Sequence, residues 1–224
     1  MFGLKDAGYD RTIMYSPDGR IIQVEYAKEA VRRGSSVIAI KCKEGIVILA
    51  ESRSYSKLIE ANEKISQIDD NLYIAFSGLL ADSRILINEA RVYAQIHRMT
   101  YGEECDVETL AQHLSKIAQR ITQFGGRPFG LTILLAGVNN SQPELCVLEP
   151  SGARHNAKAM AIGRNDNLYM DYLEEHYKAD MTLTDCKTVA ENAFLKINQD
   201  KNDYELLMMN FKSQKIEREM KSQK

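Results

Sequence analysis

Two kinds of apolar spacing alternate along this chain in a fixed order, and that order constrains the fold more than any single motif. Short runs of β-forming residues occur in two blocks, and each block is followed by two segments whose apolar residues recur at steps of three and four. A further helical segment precedes the first block, and one strand follows the last helix. Because an apolar sheet face must be covered by another layer, this order predicts two sheets between layers of helices.

The N-terminal part of the pattern predicts a turn, a short amphipathic helix and then strands. Ser-Pro-Asp-Gly at 16–19 indicates the turn, and Val24, Ala27 and Val31 then recur at helical spacing. Gly34 follows, and we expect it to stop the helix in a left-handed conformation. The first block of strands is predicted at 36–41, 46–50 and 72–76.

The remaining pattern predicts two pairs of helices separated by the second block of strands. The first pair begins near 82 and 106, where Asp106 is a plausible N-cap. The second pair occupies 167–177 and 185–197, with Thr184 as a plausible cap. Strands are predicted at 131–135, 145–148, 157–162 and 204–209. No linker or internal repeat is apparent, so we predict a single domain over 1–224.

Composition and charge exclude several classes of function. The 29 basic and 31 acidic residues give a formal net charge of -2, so neither nucleic acid nor a membrane surface is expected as a partner. No signal peptide and no run of 18 apolar residues is apparent, which favours an intracellular protein. No histidine lies in a ligand motif, so neither a metal site nor a cofactor is predicted. The four cysteines occur singly, without a CxxC pair, and we interpret them as reduced, mostly structural thiols: Cys42, Cys105, Cys146 and Cys186.

A group of N-terminal motifs gives the most specific signal in the sequence. It consists of Tyr-Asp-Arg at 9–11, Ser-Pro-Asp-Gly-Arg at 16–20, Gln-Val-Glu-Tyr-Ala at 23–27, Glu-Ala-Val at 29–31 and Gly34. Further blocks are Ser-Gly-Leu at 77–79, Gly-Gly-Arg-Pro-Phe-Gly at 125–130, Pro-Ser-Gly at 150–152 and Ala-Ile-Gly at 161–163. In these motifs the chain resembles the α-type subunits of the proteasome core particle.

This resemblance implies a fold and an absence of catalysis. The implied fold is the α+β, four-layer αββα sandwich of N-terminal-nucleophile hydrolases, with two antiparallel sheets between helical layers and an extra N-terminal helix. The β-type subunits of that family carry a catalytic threonine at the mature N-terminus, and Ser35 lies at the equivalent position. Because Ser35 follows a helix and lacks a free α-amine, no catalytic residue is predicted. An active N-terminal-nucleophile hydrolase and a stand-alone binding module are the alternatives.

The resemblance also implies a role in assembly and in gating. Such a subunit joins neighbouring α subunits in a seven-membered ring, contacts the β-ring subunits and controls access to the proteolytic chamber. The N-terminal residues 1–15 would form the gate tail. Tyr9 and Asp10 would contribute to the gate cluster, and Pro17 and Tyr26 would support its open conformation. We further expect the helix at 20–33 to pack against a neighbouring subunit through its valine face.

A pocket for activators is the third implication of the resemblance. Gly34, Lys64 and Leu79 would line a cleft that accepts the C-terminal tails of regulatory-particle ATPases or other activators in ATP- and ubiquitin-dependent protein degradation. A lysine ammonium suits a terminal carboxylate, and a glycine leaves room for close backbone approach.

Three segments depart from the family pattern. Four residues, where the family commonly has five, separate Arg11 from Ser16, and the segment before Lys64 is short. Residues 212–224 indicate a charged, solvated C-terminal tail in place of a long helix. These features favour a reduced eukaryotic paralogue over an archaeal one. The expected location is the cytoplasm and nucleus in the eukaryotic case and the cytoplasm in the archaeal case.

Overall fold

A computed structural model of the chain describes residues 8–11, 14–52, 58, 62–138, 142–198 and 203–221. Within these ranges a 3-10 turn at Tyr9–Arg11 precedes five helices: α1 (Ile22–Arg32), α2 (Leu80–Tyr101), α3 (Val107–Gln123), α4 (Asp166–His176) and α5 (Leu183–Ile197). The strands are β1 (Val37–Cys42), β2 (Gly45–Glu51), β3 (Ile65–Asp69), β4 (Leu72–Gly78), β5 (Leu131–Val138), β6 (Pro143–Leu148), β7 (Arg154–Asn156), β8 (Ala159–Ile162), β9 (Tyr204–Asn210) and β10 (Ile216–Lys221).

The strands form two antiparallel sheets. One has the order β10-β9-β2-β1-β8, and the other has the order β3-β4-β5-β6-β7. In the first sheet β2 pairs with β1 on one side and β9 on the other, and every residue of β2 is buried. A strand that is buried along its whole length needs a covering layer on both faces of its sheet.

Three apolar cores separate the four layers. The first lies between the β3–β7 sheet and the pair α2 and α3, and it includes Phe76 and Leu110. The second lies between the two sheets and includes Ile48 and Leu134. The third lies between the other sheet and the pair α4 and α5, around Phe194. The predicted αββα sandwich is therefore confirmed. In the described residues, no helix is both long and apolar enough to cross a membrane.

The N-terminal helix α1 packs on its own chain. Ile22, Ala27 and Val31 are buried, and the helix contacts β4 and β5. Because Val31 is only 6% exposed within a single chain, the expectation that it contacts a neighbouring subunit is wrong. Val24 is half-buried, and the outer face of α1 carries Glu25.

Gly34 serves a different purpose from the one that the sequence suggested. It is outside the left-handed region, and α1 ends with Arg33 in a right-handed conformation. A Cβ atom on Gly34 would lie 2.3 Å from the Ser77 Oγ and 2.5 Å from the Gly78 backbone nitrogen. The glycine is therefore required for close packing rather than for a left-handed cap.

Three strands were missed by the sequence pattern, namely β3, β7 and β10. Of these, β7 has three residues, and β10 carries charges at four of its six positions because it lies at a sheet edge. The expectation that 212–224 form a solvated tail is thus corrected for 216–221, which pair with β9 along six residues.

Of the two predicted helix N-caps, one is confirmed and the other is wrong. Asp106 is the N-cap of α3, where its Oδ1 accepts the Thr109 amide at 2.6 Å. The cap of α5 is Thr182 rather than the predicted Thr184. Its Oγ1 accepts the Asp185 amide at 3.1 Å, and the Asp185 carboxylate accepts the Thr182 amide at 3.0 Å, which makes a capping box.

Candidate functional site

The structure places Gly34, Lys64 and Leu79 around one surface recess of about 270 Å³. The recess lies where three elements meet: the end of α1, the residues just before β3, and the junction between β4 and α2. The other residues that line it are Ala30, Arg33, Ser35, Asn62, Gly78 and Leu80. The three residues that were predicted from separate parts of the sequence are thus brought together in space.

Lys64 supplies a cation to this recess. Its side chain is half-buried, and its Nζ lies 4.5 Å from the centre of the Phe76 ring. Burial disfavours the ammonium and lowers its pKa to about 8, while the negative charge of Glu51 acts in the opposite direction. Within the described ranges, Glu51 is the negative charge that acts on the Lys64 ammonium.

The β9–β10 hairpin fixes the backbone beside Lys64. The Lys64 amide donates to the Oε2 of Glu205 at 3.1 Å. Glu205 is only 2% exposed, and its other oxygen lies 2.5 Å from the guanidinium of Arg218. Arg218 also donates to the carbonyl of Ile65 at 3.2 Å and pairs with Glu63 at 3.3 Å. Residues 63–65 are therefore held by a buried carboxylate and its partner arginine.

Gly34 lines the recess and is packed directly against Ser77. The Ser77 hydroxyl lies 2.9 Å from the carbonyl oxygen of Ser35 and 3.3 Å from that of Val31, so it ties β4 to the chain on both sides of Gly34. On the opposite side, the carbonyl of Gly34 accepts the Arg164 amide at 3.0 Å. The absent side chain at Gly34 is what allows these close contacts.

The start of α2 supplies an apolar side chain and a helix N-terminus. Leu79 is the N-cap, is 46% exposed, and makes no side-chain cap. Nearby, the buried carboxylate of Asp82 accepts two bonds from Arg127, both at 2.7 Å, and one from the Gly130 amide at 2.9 Å. Arg127 is also the main cause that lowers the pKa of Asp82. These hydrogen bonds hold the junction between β4 and α2, where Leu79 lies.

The recess is therefore suited to an anion with an apolar neighbour. The positive charges of Lys64 and Arg33 face it, and the N-terminal end of α2 adds the partial positive charge of the helix dipole. Leu79 and Ala30 give it an apolar wall. A carboxylate attached to an apolar chain would satisfy both parts of this surface.

The proposed gate residues lie on consecutive pieces of the N-terminal segment. Tyr9 begins the 3-10 turn, which lies against α1. Pro17 is exposed in a tight turn, where the Gly19 amide donates to the Ser16 carbonyl at 2.8 Å. Tyr26 is exposed on α1. The side chain of Asp10 lies outside the part of the chain that the structure describes, so its predicted contact is not tested.

Ser35 lies inside the chain between Gly34 and β1. It is buried, and its carbonyl accepts the Ser77 hydroxyl. Its nitrogen is part of a peptide bond that follows α1 without a break, whereas an N-terminal nucleophile needs a free amine as its base. The neighbouring Ser36 is engaged as well, because its amide donates to Glu51 at 3.0 Å and its hydroxyl donates to the Arg164 carbonyl at 2.7 Å.

Sequence reasoning missed several residues that shape the recess. Arg33 and Leu80 lie beside predicted site residues, so the end of α1 and an earlier start of α2 would have identified them. Glu205 and Arg218 could not be found this way. They lie 141 and 153 residues from their partners Lys64 and Ile65, and the strand that carries Arg218 has no apolar pattern.

A second surface feature runs along the solvent side of α2. Four large apolar side chains are more than half exposed there, at spacings of seven, four and three residues: Ile85, Val92, Ile96 and Met99. These spacings place them on one face of the helix, opposite the buried Leu86, Ala90 and Ala94. Asn88 and Glu89 lie between Ile85 and Val92, and an exposed apolar stripe of this kind is typical of a protein contact surface.

Comparison with known proteins gives two family matches. The family model described as "Proteasome subunit" matches residues 31–206, and a second model, of the N-terminal signature of A-type proteasome subunits, matches residues 9–30. Among curated proteins, the chain is 48% identical over 198 residues to the proteasome alpha subunit of Methanocaldococcus jannaschii, covering 87% of this chain and 76% of the relative. It is 49% identical over 194 residues to the protein of the same name from Pyrococcus horikoshii, covering 85% of this chain and 74% of the relative.

Proposed function

The chain belongs to the proteasome subunit family and carries its α-type N-terminal signature, and we propose that it gates the particle and docks activator tails. As an α-type subunit it is a non-catalytic component of the α ring, which assembles with other α and β subunits in the core particle. Gating and docking go further than the family membership. They rest on the N-terminal segment and on the recess.

The observation that carries the docking proposal is the convergence of Gly34, Lys64 and Leu79 on one recess. The C-terminal tail of an activator ends in a free carboxylate, and Lys64 offers it an ammonium on the same recess. A charge-assisted hydrogen bond at such a half-buried site contributes about 1.5–3 kcal/mol. The apolar part of the tail would pack on Leu79. Regulatory-particle ATPases or other activators are the proposed partners.

The gating proposal rests on the N-terminal segment. The turn at Pro17 sets the direction from which the N-terminal segment enters α1, because proline fixes one backbone dihedral angle. Tyr26 is exposed on α1 and is free to stack or to donate a hydrogen bond to a tail that passes over it. Tyr9 and Asp10 precede this turn in the sequence and would act at the pore.

We assign the apolar stripe of α2 to a contact between subunits of the assembled particle. Leaving Ile85, Val92, Ile96 and Met99 in water is unfavourable, and each fully buried side chain of this size contributes about 1.5–3 kcal/mol. Replacing Ile96 by Lys should then reduce the yield of assembled particles while the isolated subunit stays folded. Normal particle yield from the Ile96→Lys variant would show that the stripe is not part of a subunit contact.

An active N-terminal-nucleophile hydrolase remains the alternative function. It would require cleavage before Ser35, which intact-mass measurement of the mature chain detects directly. A chain that retains α1 supports the α-ring role, and a chain that begins at Ser35 overturns it. The relatives named above are archaeal, which favours the archaeal case and hence a cytoplasmic location over the eukaryotic paralogue that the short segments suggested.

The docking proposal is tested with particles rebuilt from the full chain and the β-type subunits that copurify with it. The probe is a synthetic peptide with an activator's C-terminal residues, compared with the same peptide ending in an amide. We expect Lys64→Ala to weaken binding of the free-acid peptide about tenfold or more. Lys116→Ala, at an exposed lysine of α3, is the matched control. Equal binding by wild type and Lys64→Ala, or equal binding of acid and amide peptides, would refute the docking mode.

A further inference from the structure

A basic recess lies at the end of β1 opposite to Gly34. It has a volume of about 350 Å³, and three lysines line it: Lys41, Lys43 and Lys158. Lys41 belongs to β1, Lys43 lies in the turn between β1 and β2, and Lys158 immediately precedes β8. Among the residues that the structure places along this recess, every charged one is a lysine. The basic recess therefore gathers positive charge on a chain whose formal net charge is -2.

Strand pairing brings two of these lysines together. In the β1–β8 register Ile40 is opposite Ala159, so the next position puts Lys41 opposite Lys158. The Lys41 amide donates to the Lys158 carbonyl at 2.7 Å, which continues the pairing by one residue. Like charges that face each other directly across an antiparallel pair are destabilising. Residues that oppose a local rule in this way are expected at functional sites.

The carboxylate nearest to Lys43 in the sequence is directed away from the basic recess. Glu44 follows Lys43 in the turn, and its Oε2 accepts the Leu183 amide at 2.8 Å, at the start of α5. This carboxylate therefore satisfies one of the amides in the first turn of that helix. An anion bound in the basic recess would offset the repulsion between the lysines.

Aromatic and apolar side chains form the other walls of the basic recess. Tyr177 and Phe211 both line it, together with Pro143 at the start of β6. The Tyr177 hydroxyl donates to the Lys41 carbonyl at 3.2 Å, which holds that ring beside β1. The Phe211 amide donates to the Glu44 carbonyl at 2.7 Å, and its side chain packs against the core between the sheets. Aromatic surfaces beside a cluster of ammonium groups suit a flat ring that carries a multiply charged anion.

We propose that the basic recess binds a small organic phosphate that carries an aromatic ring, of the kind found in a nucleotide. The lysine ammonium groups bind the phosphate oxygens as point charges, and the ring packs on Tyr177 and Phe211. A volume of about 350 Å³ is larger than a single phosphate ion fills and lies in the range of small-molecule sites. Because the basic recess and the recess at Lys64 lie at opposite ends of β1, this inference does not depend on the docking proposal.

The test is isothermal titration calorimetry of the purified full chain with ATP in magnesium-free buffer. Adenosine, which lacks the phosphates, and tripolyphosphate, which lacks the ring, are the comparison ligands. We expect each of them to bind at least about tenfold more weakly than ATP. No binding of ATP would overturn the proposal. Equal binding of ATP and tripolyphosphate would also overturn it, because the recess would then be a non-specific anion patch.

Variants distinguish a site from a charged surface. Lys158→Met and Lys43→Met should each weaken ATP binding about tenfold. Lys116→Met, at an exposed lysine of α3, makes the same change of charge and should bind ATP as wild type does. Equal weakening by all three variants would show a general effect of net charge and would contradict the assignment.

Stability gives a second readout. Without ligand, Lys158→Met should raise the midpoint of urea unfolding, because it removes the repulsion across the strand pair. Saturating ATP should raise the midpoint of the wild-type chain and should raise that of Lys158→Met by less. An unchanged wild-type midpoint with ATP would overturn the proposal, and this measurement decides the question even if a variant fails to fold.

Discussion

The lowered pKa of Lys64 predicts that activator-tail binding depends on pH in the physiological range. With the pKa of about 8 that the chain gives Lys64, the ammonium fraction falls from about 0.9 at pH 7 to about 0.1 at pH 9. A terminal carboxylate stays ionised throughout and binds the charged lysine. Binding is therefore nearly full at pH 7 and is lost as the pH rises through 8. If the neutral amine contributes nothing, the affinity should fall about tenfold between pH 7 and pH 9.

The measurement is a titration of a fluorescent tail peptide against assembled particles at pH values from 6.5 to 9.5 and constant ionic strength. Lys64→Arg is the informative variant, because a guanidinium stays charged over this range. Its affinity should be nearly independent of pH, and Lys116→Arg should retain the wild-type profile. A flat profile for wild type, or the same decline in Lys64→Arg, would show that another group controls the pH dependence.

Three further outcomes follow from contacts described above. Arg218→Ala should lower the free energy of unfolding by about 1–3 kcal/mol, since it leaves the buried Glu205 carboxylate unpaired; urea titration measures this, and an unchanged midpoint would contradict it. Gly34→Ala should reduce tail binding and stability together, because the new methyl would collide with Ser77 and Gly78; wild-type binding with wild-type stability would show that Ser77 and Gly78 can shift to accommodate the methyl. Removal of residues 1–11 should increase hydrolysis of small peptides by assembled particles without changing the β-type active sites, and unchanged hydrolysis would mean that this tail does not block the pore.

The layers of the fold could be predicted because each one depends on local apolar spacing. The buried strands β2 and β5 are continuous apolar runs, and α3 repeats its buried residues at steps of three and four after the Asp106 cap. Such signals are carried by neighbouring residues. The edge strand β10 has no such signal, because its charged side chains alternate with few apolar ones and its pairing with β9 stabilises it.

The residues of the candidate site could be predicted from the sequence, but the contacts that hold those residues in place could not. Gly34, Lys64 and Leu79 were named from family motifs, which identify residues without stating their contacts. The reason for the glycine at 34 was misjudged, because a collision with Ser77 depends on tertiary structure and not on local backbone preference. The Glu205 carboxylate was missed for the same reason, since its role depends on a strand from the far end of the chain.

That dependence on the C-terminal hairpin has a consequence for protein synthesis. Lys64 is translated early, yet the carboxylate and the guanidinium that hold residues 63–65 come from β9 and β10. A nascent chain still on the ribosome can build the β3–β7 sheet before Arg218 has emerged from the exit tunnel. The recess is therefore completed among the last features of the molecule. A chain truncated before residue 218 would have the signature motifs of the family but would lack the Arg218 guanidinium that holds residues 63–65. Only chains translated past residue 218 would therefore have a fully formed recess.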